Sequence, residues 1–353
     1  MINNIIYLDH HVKSVTGGHK YNDAFEEHLE KISGIKILDT PSCANKYKGW
    51  RKLFSPFMEL KWMKHLNSDS LVFFGDTSYK HHFLLALFNK LFWKAKTSII
   101  IHHFSFIGTV GLGASINKWL MLRYYGWMDS IIVPSPYTLD VAKSLFPNKM
   151  IHYIPLPFDR KYDPSDQYQE GNYLYVGTVD KRKGLIYLIE AINKLPFKDK
   201  ICLNVVGKVT DPKYFEIVKN RIAELGLVNQ VHFLGRVSNE QLTDCYEKAE
   251  IFTFPSLLEG YGIVLIEALS KGIPVVCFDN TAMPYTVKDG VNGFLAKNKD
   301  TEDLARKLEG LSFKKDVRKY LQKGINETMS GLMTQDDFCL GIKSFYKDIN
   351  PHE

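Results

Sequence analysis

Cysteine is scarce in this 353-residue chain: Cys43, Cys202, Cys245, Cys277 and Cys339 are scattered, odd in number and nowhere paired as CxxC. That pattern argues against a disulfide framework and against a thiolate zinc site, and it suits a reducing compartment. There is no Asp-x-Asp pair to suggest a carboxylate-held cation. A secretory signal is missing too: residues 1–9 have no basic start, and their apolar run ends at Asp9. The longest uncharged span, residues 97–117, has the length to cross a bilayer but contains His102, His103, Gly108, Gly111 and Gly113. It reads as a buried strand followed by a glycine-rich loop. Together these absences point to a cytoplasmic protein without a membrane span.

What is present is ordinary globular material: 45% hydrophobic and 24% charged residues, which excludes a disordered or fibrous chain. At about 150 residues per domain the length favours two domains. The net charge of +6 is unevenly spread. Residues 1–157 carry 18 Lys and Arg against 11 Asp and Glu, and the rest of the chain carries 27 against 28. Part of the excess lies in residues 46–64 and 80–96, where cations alternate with Trp50, Phe54, Phe57, Trp62, Phe83, Phe88, Phe92 and Trp93. Such stretches suit an anionic membrane surface, with rings at headgroup depth and cations on phosphates. They equally describe amphipathic helices with a solvated basic face. Nucleic acid ranks below both, since no recognised module or Arg-rich stripe accompanies the charge.

Apolar runs alternate with helical patterns along the whole chain. Strands are expected at 5–8, 34–38, 71–75, 98–101, 131–133 and 150–154, with helices at 21–31 and 83–92 among them. Pro155, Pro157 and Pro164 and the polar stretch 165–171 then interrupt the pattern and predict a hinge or linker. The alternation restarts with strands at 173–176, 201–206, 231–234, 251–254 and 274–278. Helices separate them at 184–194, 214–225, 240–248 and 261–271. Strict β-α alternation means parallel sheets covered on both faces, and the break predicts two Rossmann-like domains with a ligand cleft between them.

The most informative segment is residues 254–269. A buried strand ends at Pro255-Ser256, Glu259-Gly260-Tyr261-Gly262 follows, and a helix begins near Tyr261. Free amides and the helix dipole at such a start receive an anion, most simply a phosphate, and the glycines let backbone approach it. Glu259 would repel a phosphate, so it reads as an acceptor for hydroxyls of whatever the phosphate carries. Glu267 lies eight residues on, about 12 Å along one continuous helix and rotated about 80°. Two carboxylates so placed are no acid/base dyad, but they can grip two ends of an elongated ligand. Glu267 sits among Ile263, Val264, Ile266, Ala268 and Leu269, where an idle carboxylate is costly, which favours a functional role.

Glu259 and Glu267 form a Glu-x7-Glu motif, and the segment resembles the signature of family 4 retaining glycosyltransferases. Residues 176–185 are similar to that family's donor-phosphate loop and residues 233–237 to its base-binding turn. Residues 271–276 and 289–295 resemble its later segments, Thr16-Gly17-Gly18 its glycine loop, and residues 101–106 its post-strand histidine. Residues 133–138 and 154–159 also align. The resemblance implies an α/β GT-B fold, two Rossmann-like domains facing each other across a cleft. Residues 1–158 would be the acceptor side, 159–335 the nucleotide-sugar domain, and 336–353 a helix crossing back to the first domain.

The resemblance further implies a donor site with Glu259 on sugar hydroxyls and Glu267 on the nucleotide ribose. Lys183, with Arg182, would face the diphosphate together with amides near Gly260, Tyr261, Gly262 and Ile263. Backbone near Val237 would meet the base, Gly17-Gly18 would line the donor, and His102, with His103 able to swap roles, would sit near the sugar. Thr178, Tyr285 and His103 depart from residues common in that family. The expected reaction is retaining transfer of a hexosyl group from a UDP- or GDP-linked sugar to a hydroxyl of a glycan or lipid-linked acceptor. It would serve surface polysaccharide or glycoconjugate synthesis at the inner membrane face, with no metal, cofactor or nucleic acid. A sugar-nucleotide epimerase, a phosphorylase or a non-enzymatic sugar-binding protein are the alternatives.

Overall fold

A computed structural model of the chain describes residues 2–10, 17–41, 50–107, 111–158 and 161–351. Cys43, residues 46–49 of the basic stretch, Thr16 of the glycine loop and Gly108 lie outside them. The chain divides into two compact units, Met1–Phe158 with Met333–Glu353, and Asp159–Leu332.

In the first unit, strands β1 (Asn4–His10), β2 (Ile37–Pro41), β3 (Ser70–Phe74), β4 (Lys96–Ile100), β5 (Ser130–Val133) and β6 (Met150–Tyr153) form one sheet. Every pair is parallel and the order is β2-β1-β3-β4-β5-β6. Successive side chains of a strand point to opposite faces, and two separate cores follow from that. Helix α2 (Arg51–Met58) packs on α3 (Tyr79–Phe88), and Ile6, Leu8, Val72, Phe74, Ile99 and Ile131 face α3, α4 (Leu112–Trp127) and α5 (Pro136–Leu145). Ile5, Tyr7, Leu71, Phe73, Ile100 and Ile132 face α1 (Gly17–Ser33) and the last helix of the chain, Gln335–Ile349.

Three local expectations give way in this unit. The strand expected at 34–38 begins only at Ile37, because Gly34, at φ +68, closes α1 by donating to the Glu30 carbonyl. The helix expected at 83–92 starts at Tyr79 and ends in a π-turn, Asn89–Trp93. There the Asn89 side chain brackets Ala95, accepting from its amide at 3.1 Å and donating to its carbonyl at 3.0 Å. The glycine-rich loop expected up to residue 117 is helix from Leu112 onward, with Gly113 and Ser115 inside its first turns.

In the second unit, β7 (Asn172–Val176), β8 (Cys202–Val206), β9 (Val231–Gly235), β10 (Ile251–Phe254), β11 (Val275–Asp279) and β12 (Gly293–Lys297) form a second all-parallel sheet. Its order is β12-β11-β10-β7-β8-β9. The chain therefore runs outward from β7 in one direction and returns to pair β10 on its other side. The helices are α6 (Leu185–Asn193), α7 (Pro212–Glu224), α8 (Asn239–Lys248), α9 (Ile263–Ser270), α10 (Met283–Thr286), α11 (Thr301–Leu311) and α12 (Lys315–Ser330). Residues 161–171 are no free linker: the amides of Asp163 and Ser165 donate to the carbonyls of Ser270 and Lys271, and that of Gln169 to Lys248. The final helix, α13 (Gln335–Ile349), belongs to the first unit.

Candidate functional site

In a parallel sheet the loops after the strands share one edge, and a crevice opens where the chain reverses direction. In the second unit that point lies between β7 and β10. The β7 loop supplies residues 177–184 and the β10 loop supplies 255–262. After β7, Thr178 donates to the Asp180 carboxylate at 2.6 Å, and Asp180 accepts from the Lys183 amide at 3.2 Å. The carboxylate thus caps the short 3-10 turn Lys181–Lys183. Gly184 follows at φ +67, and a Cβ there would lie 2.0 Å from the Pro255 carbonyl oxygen. Only glycine lets the two loops come this close. The contact is sealed by the Leu257 amide donating to the Arg182 carbonyl at 2.8 Å.

Three donors converge on one carboxylate oxygen. Glu259 Oε1 accepts from Lys183 Nζ at 2.6 Å, Ser256 Oγ at 2.7 Å and Arg182 at 3.0 Å. Burial pushes this carboxyl up, but the Lys183 and Arg182 charges and the hydrogen bonds from Lys183 and Ser256 outweigh it and hold the pKa below its ordinary 4.5. Lys183 and Glu259 are nearly enclosed, whereas Arg182 is 44% exposed and also donates to the Leu258 carbonyl. The Lys183 ammonium stands 4.8 Å from the centre of the Phe254 ring. The Glu259 amide donates to Thr281 Oγ1, and Asn280 holds the Ser256 carbonyl, so the loop is pinned from β11 as well.

Beyond Gly260 and Tyr261, Gly262 adopts φ +83 as the N-cap of α9, so the helix starts at Ile263, later than expected. Glu259 is therefore off the helix, and the helical distance of 12 Å between it and Glu267 does not apply. The burial expected for Glu267 is also corrected. It is exposed, because a 3.6-residue period stacks it over half-buried Ile263 and Val264, whereas Leu265, Ile266, Ala268 and Leu269 form the buried face. Its carboxylate accepts from the Tyr246 hydroxyl on α8 at 2.8 Å. Val237 lies just past β9, half-buried, two strands from β7.

In the first unit, Gly17 and Gly18 open α1. Half-buried His102, two residues after β4, is 2.8 Å from Asn22 of that helix through Nε2, and its ring stands edge-on to Tyr21 at 5.4 Å. His103 is exposed. The sequence segments carrying Gly17-Gly18 and His102 are thus neighbours, joined through Asn22. Asp180, Ser256, Thr281 and Tyr246 were not singled out from sequence. Asp180 alone carries a readable signal, a carboxylate three residues before the amide it caps.

Residues 165–327 match the family model described as glycosyl transferases group 1. O-antigen chain mannosyltransferase B of Escherichia coli is 31% identical over an alignment of 163 positions that covers 43% of this chain and 40% of that protein. The chain spans about half the length of the curated relatives it matches. Among solved structures, sucrose-phosphate synthase from Thermosynechococcus elongatus superimposes with a TM-score of 0.78 at 18% identity, covering 99% of this chain and 100% of that one. Anabaena HepE, in complex with UDP and glucose, gives 0.69 at 17% identity, again over 99% and 100%. At such identities the likeness is one of fold, two parallel-sheet Rossmann-like units of the GT-B class.

Proposed function

We propose that the chain is a retaining hexosyltransferase that takes a UDP- or GDP-linked sugar as donor and a hydroxyl of a glycan or lipid-linked molecule as acceptor. The observation that carries this reading is the convergence of Lys183 and Arg182 on Glu259 at the β7–β10 switch point, beside the N-terminus of α9. An incoming diphosphate competes with Glu259 for both cations and gains the first amides of α9, a pattern suited to a dianionic leaving group. The three donors engage Oε1, so Oε2 is the oxygen that can accept from a sugar hydroxyl. Glu267, oriented by Tyr246, is assigned to the ribose, and backbone near Val237 to the base. His102, Gly17 and Gly18 are assigned to the sugar side by resemblance alone. The E. coli relative, an O-antigen chain mannosyltransferase by name, and HepE, solved with UDP and glucose, support a hexosyl donor and a role in surface glycoconjugates.

In this reading the bond from the anomeric carbon to the diphosphate oxygen breaks while the acceptor oxygen bonds to the same face of that carbon. The acceptor proton passes to the departing phosphate oxygen. Charge on the diphosphate is met by Lys183, Arg182 and helix amides, with no cofactor. Catalysis is then mostly positioning and electrostatic stabilisation.

Calorimetric titration with UDP, GDP, dTDP and ADP tests it. One nucleotide is expected to bind, and Lys183→Ala to weaken it at least about tenfold, since a charge-assisted hydrogen bond contributes about 1.5–3 kcal/mol. Binding of none of the four, or unchanged affinity in the variant, overturns the assignment.

A further inference from the structure

The apolar and basic side chains of the first unit gather on one outer layer. Helices α3, with its π-turn, and α4 pack together over one face of the sheet, and α2 packs on α3. Leu53, Phe57, Leu91, Phe92, Ile116 and Trp119 on these elements are each between 53% and 78% exposed. Single exposed apolar residues are unremarkable on any surface, but contiguous ones need an explanation. Phe57 also lines an apolar groove of about 390 Å³ whose walls come from all three helices: Pro56 and Phe57 of α2, Phe83 and Leu84 of α3, and Leu120 of α4.

The charge of this layer has one sign. Residues 51–58, 79–93 and 112–127 contain six Lys and Arg and not one Asp or Glu. Several of those cations lie over rings, as Arg51 does over Trp50, Lys80 over Tyr79 and Arg123 over Trp119. The nearest acid in sequence, Glu59, is buried beside His82 and accepts from the Trp62 indole, so it offers the surface no counter-charge.

We propose that this layer docks on an anionic lipid bilayer, with Leu53, Phe57 and Phe92 entering the headgroup region and the exposed Arg51, Lys80, Lys90, Lys118 and Arg123 meeting lipid phosphates. A bilayer supplies acyl chains for the groove and negative charge for its rim at once. A second copy of this chain fits worse, because a self-complementary contact would set cations against cations. The inference concerns the first unit alone and does not rest on the reading of the nucleotide site.

The test is co-sedimentation of the full chain with vesicles of phosphatidylcholine, with or without phosphatidylglycerol, at about 0.1 M NaCl, where surface charges still act over roughly 10 Å. Sedimentation is expected with the anionic vesicles only, weakened at least tenfold at high salt. Two variants are compared, Leu53→Ser with Phe57→Ser, and Lys80→Glu with Lys118→Glu. Each is expected to lose binding at least tenfold while keeping the wild-type Tm, since all four side chains lie on the outer layer. The proposal is overturned if anionic vesicles do not bring the protein down, or if neither variant reduces binding. It is also overturned if light scattering shows a wild-type dimer that the Leu53/Phe57 variant makes monomeric, which would assign the face to a second copy.

Discussion

Glu259 is the residue at which structure and chemistry are most tightly linked, because its charge is stabilised by groups that a diphosphate would also recruit. Its pKa lies below the ordinary 4.5 in the folded protein, so on acidification the unfolded chain takes up this proton first. The contribution to stability is therefore intact at neutral pH and is lost as pH falls from about 4.5 through the folded value. Glu259→Gln removes it and leaves Lys183 and Arg182 without their counter-ion. The variant is expected to be less stable at pH 7 by roughly 2 kcal/mol, below the 3–5 of a fully buried pair because Arg182 reaches solvent. The gap should close as pH falls below about 4.5 in paired thermal melts, and a constant gap would mean the carboxylate charge is not what stabilises the loop. The same variant separates binding from chemistry. Nucleotide affinity should hold or rise once the competing carboxylate is gone, while sugar transfer falls.

At the scale of elements, the site is two loops held together by backbone, and Gly184 is where they touch. Gly184→Ala would bring its methyl into the Pro255 carbonyl and force a φ of +67 on an L-residue. A cost of about 2–4 kcal/mol is expected, from strain and displacement together, with weaker nucleotide binding because Lys183 shifts with its neighbour. A Tm within about 1 °C of wild type would show that the loops can separate without penalty. Elements such as these were legible in the sequence where apolar runs are bounded by breakers, as at Ile251–Phe254, where expected and observed strands coincide. They were illegible where propensity and tertiary packing disagree. α4 begins with Leu112-Gly113-Ala114-Ser115, a poor local helix signal, yet burial of Met121, Tyr124 and Tyr125 fixes it as helix. α12 is mostly polar and its apolar residues are too widely spaced to catch the eye, although Leu321, Ile325 and Met329 recur every fourth residue and are buried. The burial of Glu267 was misread for a related reason: apolar sequence neighbours do not bury a side chain that the helical period turns outward. The contact between Lys183 and Glu259, 76 residues apart, follows from strand order, which a single sequence does not display.

For the molecule as a whole, the chain leaves the first unit after Phe158, builds the second, and returns at Met333 to complete the first. The Phe158 amide donates to the Met333 carbonyl at 2.9 Å, so departure and return run side by side. The returning helix α13 starts with a capping box between Thr334 and Asp337 and buries Phe338, Ile342, Phe345, Tyr346 and Ile349 on one stripe. Phe345 packs between Phe25 and Phe73, with ring centres at 5.9 and 5.8 Å, and Phe338 stands 5.5 Å from Tyr21. Asn350 then accepts from the Ile2 amide, joining the two ends of the described chain. Five buried side chains at about 1.5–3 kcal/mol each amount to roughly 7–15 kcal/mol, an upper bound but comparable to the whole stability of a domain. A chain ending at Leu332 should therefore lose the cooperative unfolding of its first unit. The second unit, whose core lacks α13, should still unfold as a separate transition in calorimetry. Phe345→Ala is the milder form of the same experiment, expected to cost about 3–5 kcal/mol and to lower only the transition of the first unit. Were both transitions to fall together in that variant, the two units would be a single cooperative body, and the return of the chain would couple them rather than simply close a core.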